Sequence, residues 1–276
     1  MTDPQDDAPT PTSSGIANIP FPFQGVFSEI LTKSVGFGAT KRKEKMKRLW
    51  FLERDKTGTT TVRHLTKDYL PTGNPKPVDL SKIMGEFFPE PGIYMNKVAP
   101  KLHETQRLAD EGDEHRSKEE HYSAEYAYKE ALGIDEDHIR ANFGLGLTYL
   151  SMADTKRAEH TFQKIASLES AFGIEHKHLF NEFGINLRKH GMLDECVEYY
   201  MKALSLHPED DHLLFNIARV HFDREDYAKA QEYCLLALQN NPEQREARRL
   251  RASIYCKDPS LRDSGIPSLD LTGEAI

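Results

Sequence analysis

The chain has 276 residues, 38% of them hydrophobic and 29% charged, with a formal net charge of −8. That is enough for one large domain or two modest ones, and no run approaches the eighteen apolar residues of a membrane-spanning helix. The charge is uneven: residues 1–40 carry one base and four acids (−3), residues 41–104 fourteen bases and eight acids (+6), and residues 105–276 twenty-one bases and thirty-two acids (−11). A basic middle and an acidic remainder predict two structural units.

From the N-terminus, residues 1–22 are rich in Asp, Pro, Thr and Ser and read as a disordered tail. They lack the basic and apolar regions of a signal peptide. FQGVFSEIL, 23–31, is apolar enough to dock or to act as a short linear motif. KRKEKMKR, 41–48, holds six bases and one acid. Such a run suits nucleic acid or an acidic surface, but a basic run alone is weak evidence in an acidic chain. A solvated lead-in to the following strand is preferred, and nucleic acid is not the expected partner. KRLWFLERDKTGTTTVRHLT, 47–66, predicts a β-hairpin, because two runs rich in aromatic, β-branched and Thr residues flank the turn signal DKTG. LPTGNPKPV, 70–78, reads as a loop, and DLSKIMGEFF, 79–88, as a short helix with Asp79 as N-cap. A hairpin and one helix make a poor free-standing core. Trp50, Phe51, Phe87 and Phe88 are therefore expected to cover the helices that follow, leaving 23–104 as a small α+β region.

Beyond residue 104 the sequence repeats. Proline recurs after 34 residues, at Pro208 and Pro242, and alanine with it, at Ala203 and Ala237. Units framed at 105–138, 139–176, 177–210 and 211–244, with a cap at 245–256, align small residues. The eighth slot reads Gly112, Gly146, Gly184, Ala218 and Ala252; the twentieth Ala124, Ala158, Cys196 and Ala230. The twenty-fourth reads Tyr128, Phe162, Tyr200 and Cys234, and the twenty-seventh Ala131, Ile165, Ala203 and Ala237. Small residues recur where paired helices must approach closely, and a period near 34 signals a helical solenoid. Gly184 costs its helix about 1 kcal/mol against alanine, offset by close contact between the paired helices. Pro208 and Pro242 end the second helix of a pair, and Gly191 is expected to cap a first helix in left-handed conformation. Residues 257–276 read as a second disordered tail.

This arrangement resembles the tetratricopeptide repeat (TPR) family over roughly 105–256, and the FQGVFS leader joined to a hairpin is similar to uncharacterised bacterial TPR proteins. Unit two has Ser170 where the proline falls, unit one has Glu111 and His115 at usually apolar slots, and no unit has the favoured fourth-slot tryptophan. The resemblance implies a mainly α fold, a helical-hairpin superhelix of about four repeats plus a cap. Arg248 and Arg251 face outward on that cap, as a terminal repeat requires. It also implies a concave surface lined by the first helix of each unit: Arg140, Phe143 and Leu147, then His178, Asn181, Ile185 and Arg188, then His212, Phe215, Asn216 and Arg219, with Arg249 from the cap. The plainer reading makes Phe143, Leu147, Ile185 and Phe215 core. Family members that clamp a chaperone's C-terminal carboxylate use Lys and Asn on one unit, Asn on the next, and Lys and Arg on the third. The matching positions here are Phe143 and Leu147, Glu182, then His212 and Asn216; or Asn181 and Ile185, Asn216, then Glu246 and Leu250. The bases are missing, so chaperone binding is not expected.

Catalytic patterns are absent from the sequence. There is no phosphate loop, and GFG at 36–38 and GLG at 144–146 lack the strand context of a nucleotide fold. G-x-S-x-G and H-E-x-x-H do not occur. His176 and His178 are two apart, which does not place them on one helix face. Cys196, Cys234 and Cys256 form neither a C-x-x-C pair nor a zinc pattern, and an odd, sparse count points to a reducing compartment. The expectation is a cytoplasmic, non-enzymatic adaptor without cofactor or metal, not inserted in a membrane. Its groove bases Arg140, Arg188, Lys189, Arg219 and Arg249 outnumber Glu182, Asp223 and Glu246, so it should bind an acidic segment of another protein. The alternatives are a nucleic-acid-associated protein using 41–67, or arginines that pair with acids of neighbouring repeats and leave the groove neutral.

Overall fold

The structure, a computed structural model, describes residues 22–35, 42–173 and 176–263. Residues 1–21 of the tail expected over 1–22, the GFG stretch and residues 264–276 lie outside the described residues. The chain divides into two compact units between Arg107 and Leu108.

The first unit contains an antiparallel sheet in the order β4-β3-β2-β1-β5. Its strands are β1 (Phe23–Val35), β2 (Arg42–Arg54), β3 (Thr60–Leu65), β4 (Pro71–Pro77) and β5 (Phe87–Pro89), with helix α1 (Leu80–Glu86) between the last two. The β2–β3 hairpin closes on Asp55, whose carboxylate accepts the Thr57 and Thr59 N–H groups at 2.8 and 2.9 Å, while Gly58 takes a φ of +90°. Side-chain alternation splits the apolar runs between two faces. Phe27, Leu52 and Val62 pack with Ile83 and Phe87 on one face. Val26 and Phe51 pack with Val98, Ile93, Tyr94 and Leu102 on the other.

This organisation departs from the sequence reading at four places. Residues 23–31 are a strand, because a run buried on both faces has no alternation to reveal it. Residues 71–77 are an edge strand, where proline's missing N–H can face outward. Phe87, expected to cover the repeats, is buried in a core of the sheet with Ile83, while Phe51 is buried in a core that includes Leu102 at the start of the helix 99–117. Asp79 sits at the N-cap of α1, but its side chain makes no capping hydrogen bond.

The second unit is built from helix pairs: α3 (Ala99–Ser117, which carries the division between units) with α4 (His121–Ile134), α5 (Ile139–Ser151) with α6 (Thr155–Ser167), α7 (Lys177–Lys189) with α8 (Leu193–Leu206), and α9 (Asp211–Asp223) with α10 (Tyr227–Asn240). A single helix, α11 (Arg245–Lys257), follows. One cluster of buried residues runs through them, from Ala109 to Ile254. The twentieth- and twenty-seventh-slot residues, Ala124, Ala158, Cys196, Ala230, Ala131, Ile165, Ala203 and Ala237, are all 0% exposed. A Cβ on Gly184 would strike the Tyr200 ring, and one on Gly112 would lie 2.5 Å from the Tyr128 ring. In the first and third pairs the glycine of the first helix is thus a seat for the tyrosine of its own second helix. In unit two the seat is shared differently. Gly144 meets Tyr128 of the preceding pair, and Gly146 meets Phe183 of the next, with 2.6 Å to a built Cβ. Ala252, at the same slot of α11, is exposed, since no second helix among the described residues packs on it. Residues 259–263, expected in a disordered tail, form a 3-10 turn whose Leu261 packs against the core.

Each first helix ends the same way. Gly191 has φ +75°, its N–H bonds to the Arg188 carbonyl and the Met192 N–H to Leu187, a Schellman closure. Glu119, Ala153 and Glu225 hold the same left-handed position with φ of 61°, 56° and 62° and the equivalent bonds. Non-glycine residues are strained there. Second helices end at C-caps His207 and Asn241, just before Pro208 and Pro242.

These packings set opposite signs for two substitutions. Gly184→Ala gains helix propensity of about 1 kcal/mol, yet the clash with buried Tyr200 should make it destabilising by about 1–3 kcal/mol. Thermal unfolding decides: a raised midpoint would show that the seat is not tight. Glu225→Gly should stabilise by about 1 kcal/mol by removing the left-handed strain, read as a raised midpoint in the same experiment.

His138 supplies a pH dependence. Its Nδ1 caps α5 by accepting the Ala141 N–H at 3.2 Å, which requires the unprotonated ring. Burial, and then the Arg140 charge, push its pKa down to about 4. The unfolded chain, with histidine near 6.5, therefore binds more protons between those values. Stability should be complete above about pH 6.5 and fall as pH drops towards 4. Buried His221 and half-buried His64 shift in the same direction, mainly through desolvation. His138→Asn keeps a capping oxygen and should lose less denaturant resistance between pH 7 and 4.5 than the parent. Equal losses would remove His138 from the account.

Candidate functional site

The sequence-predicted residues do not form one uniform surface. Phe143 and Leu147 are 0% and 3% exposed, so they are core rather than groove contacts. The cause is the burial of α5, whose residues 141–150 are all buried. Phe143 meets Phe183 edge-on at 5.6 Å. Arg140, on the same helix, is neutralised: its guanidinium bonds Asp113 at 2.6 Å and Asp110 at 2.5 Å. Arg116 of α3 pairs with Glu182 of α7 at 3.1 Å, joining the first and third helix pairs directly.

From α7 onward the first helices present a different face. His178 and Lys189 are exposed, and Asn181, Ile185 and Arg188 are half-buried. Ile185 is not among the residues packed on the core. On α9, His212 is exposed while Phe215, Asn216 and Arg219 are half-buried. The Asn216 amide donates to the Asn181 side-chain oxygen at 3.3 Å, linking α7 to α9. Arg188 forms an ion pair with Asp223, also between these helices. Arg249, Glu246 and the half-buried Leu250 continue the face on α11.

Arg219 differs from its neighbours. Its guanidinium carbon lies 5.6 Å from the Phe215 ring centroid, a cation–π contact. Among the described residues it has no carboxylate within ion-pair distance. Burial, and then the neighbouring Arg188 charge, lower its pKa. Asp223 favours its charge but is itself engaged by Arg188. The result is a partly desolvated cation stacked on a partly exposed aromatic ring.

The two buried cysteines are quiet. The Cys196 and Cys234 thiols donate to the Gly184 and Ala247 carbonyls at 3.2 and 3.0 Å. Burial pushes them up to about 12 and about 11, respectively, the opposite of a reactive thiol.

Sequence reasoning raised pairing between repeats only as an alternative and did not assign the pairs. Asp110 and Asp113 lie 30 and 27 residues from Arg140, and Glu182 lies 66 residues from Arg116. A repeat frame places side chains on faces, but it does not say which charges across helices will meet.

Stacked helix pairs of this kind define a helical-hairpin solenoid. Residues 139–172 and 187–254 each match a family model described as tetratricopeptide repeat. Over those two segments the chain carries tetratricopeptide repeats. A Pseudomonas aeruginosa pilF structure is 20% identical, covering 58% of this chain and 72% of that chain with a TM-score of 0.46. A structure of MamA protein is 20% identical, covering 58% and 84% with a TM-score of 0.45. The Hsp70-Hsp90 organising protein of Plasmodium falciparum (isolate 3D7) is 38% identical over 72 residues, 26% of this chain and 12% of that protein. The match thus spans about an eighth of that relative's length. No helix among the described residues is long and apolar enough to cross a membrane.

Proposed function

We propose that this chain is a non-enzymatic scaffold whose α7–α9–α11 face binds an acidic segment of another protein. The observation that carries the reading is Arg219, a half-buried guanidinium on the Phe215 ring with no ion-pair partner among the described residues. A carboxylate from a partner would satisfy it and relieve its repulsion by Arg188, while Phe215 and Ile185 offer apolar contact. Arg140 and Arg188, which the sequence placed in the same basic groove, already have internal acids, so the attraction is concentrated at Arg219, Lys189 and Arg249. The cytoplasm is the proposed compartment.

Chaperone tails are not carried over from the organising-protein relative. Phe143 and Leu147 are buried, Asn181 and Asn216 bond each other, and Glu246 stands at a clamp position that needs a base.

Selection of a random-peptide phage library on the full chain tests the reading. Enriched peptides should combine Asp or Glu with an apolar residue. Arg219→Gln should weaken them about 10- to 100-fold, the value of one charge-assisted hydrogen bond. Neutral or basic consensus peptides, or unchanged affinity in a folded variant, would contradict it.

A further inference from the structure

The β1–β2 ladder runs for thirteen residues, from Phe23 opposite Arg54 to Val35 opposite Arg42. Its neighbours are much shorter. β3 pairs with β2 only from Trp50 to Arg54, and β5 with β1 only from Phe27 to Glu29. The pairs from Ile30–Lys47 to Val35–Arg42 therefore form a two-stranded ribbon with no third strand among the described residues. Six pairs at about 3.3 Å extend it by roughly 20 Å. Every residue from Arg42 to Arg48 is exposed. The segment is solvated, as the sequence reading has it, but it is part of strand β2 rather than a lead-in to it, and its side chains are regularly placed.

Alternation puts Lys43, Lys45 and Lys47 in a row on one face, about 6.6 Å apart. Thr32 and Ile30 stand opposite Lys45 and Lys47 on that face. The ribbon's own acid, Glu44, falls on the other face. Lys47 reaches Glu90, outside the ribbon, while Lys43 and Lys45 have no ion-pair partner among the described residues. Lysines can simply guard unpaired strand edges against aggregation, and exposed Ile30 and Met46, at 52% and 45%, make such guarding useful. Guarding, however, is satisfied by charge of either sign on either face. It does not require a row of one sign along one face.

We propose that this ribbon is a docking arm for duplex DNA, held through the phosphates. A two-stranded ribbon fits the B-form major groove, which is about 12 Å wide, whereas the A-form RNA groove is too narrow for side chains to enter. The lysine row meets the regular phosphate charge on either side of the groove. The chain's net charge of −8 opposes binding, but at about 0.1 M salt that field decays over roughly 10 Å, half the ribbon's length. Binding is sequence-independent, because the row contains only flexible ammonium groups and no planar fork to read a base edge. It is independent of the acidic-segment reading of the repeats, and either can fail alone.

The test is fluorescence anisotropy of the full chain with a labelled, mixed-sequence DNA duplex of about 20 base pairs. Two to three phosphate contacts should cost about ten- to fortyfold in affinity between 50 and 200 mM salt. The double variants K43E/K45E and K43Q/K45Q, which leave the Lys47–Glu90 pair in place, should lose binding at least tenfold with unchanged thermal midpoints; if charge reversal prevents folding, the glutamine variant decides. No binding at 50 mM salt would overturn the proposal. So would folded variants that bind like the parent, or tighter binding to phosphatidylserine vesicles than to the duplex.

Discussion

The repeat unit depends on one contact, a tyrosine ring of the second helix lying where the first helix has no Cβ. Gly184 against Tyr200 and Gly112 against Tyr128 are its two plain instances. The glycine weakens its own helix, and the ring, buried to 1% exposure or less in both cases, more than offsets that loss by filling the space between helices. Because the rings are that deeply buried, the pairs have little freedom to slide. The side chains that project from successive first helices are then held in register, and pairings such as Asn181 with Asn216 and Arg188 with Asp223 follow.

The second helices contribute charge as well as rings. Glu125, buried on α4, accepts from Tyr149 at 3.2 Å, Lys129 at 2.7 Å and Arg157 at 2.6 Å. Burial alone would raise its pKa, but these donors outweigh it and hold the carboxyl below its usual value. Tyr128 likewise donates to Asp113, which in turn binds Arg140. Arg116, Arg140 and Arg157 are thus paired with acids of the solenoid itself. Arg219 has no ion-pair partner among the described residues, and positive charge is left uncompensated there.

Much of the helical region was legible because its signals are periodic. Small residues at Gly184, Ala203 and Ala237 mark close approaches whether or not the neighbour is known, and Gly191 marks a left-handed turn by its own chemistry. Glu119, Ala153 and Glu225 take that same conformation with no such mark, so only the frame could locate them. Phe143 and Leu147 were misplaced because α5 is buried on every side between residues 141 and 150, and a helix without a polar face gives no clue to which stripe is inward. The sheet was harder. β1 is covered on both faces around Val26 and Phe27, which erases alternation, and β4 contains Pro71, Pro75 and Pro77, which argue for a loop until the strand is seen to lie at an edge.

The central claim is that Arg219, rather than the internally paired arginines, receives the partner's carboxylate. The direct measurement is a two-dimensional spectrum of the arginine Nε–Hε groups of the full chain, titrated with an acidic peptide that binds it. The account predicts a large, saturable shift for Arg219 and little change for Arg140, which stays with Asp110 and Asp113. A shift centred on Arg140 with Arg219 unmoved would contradict it.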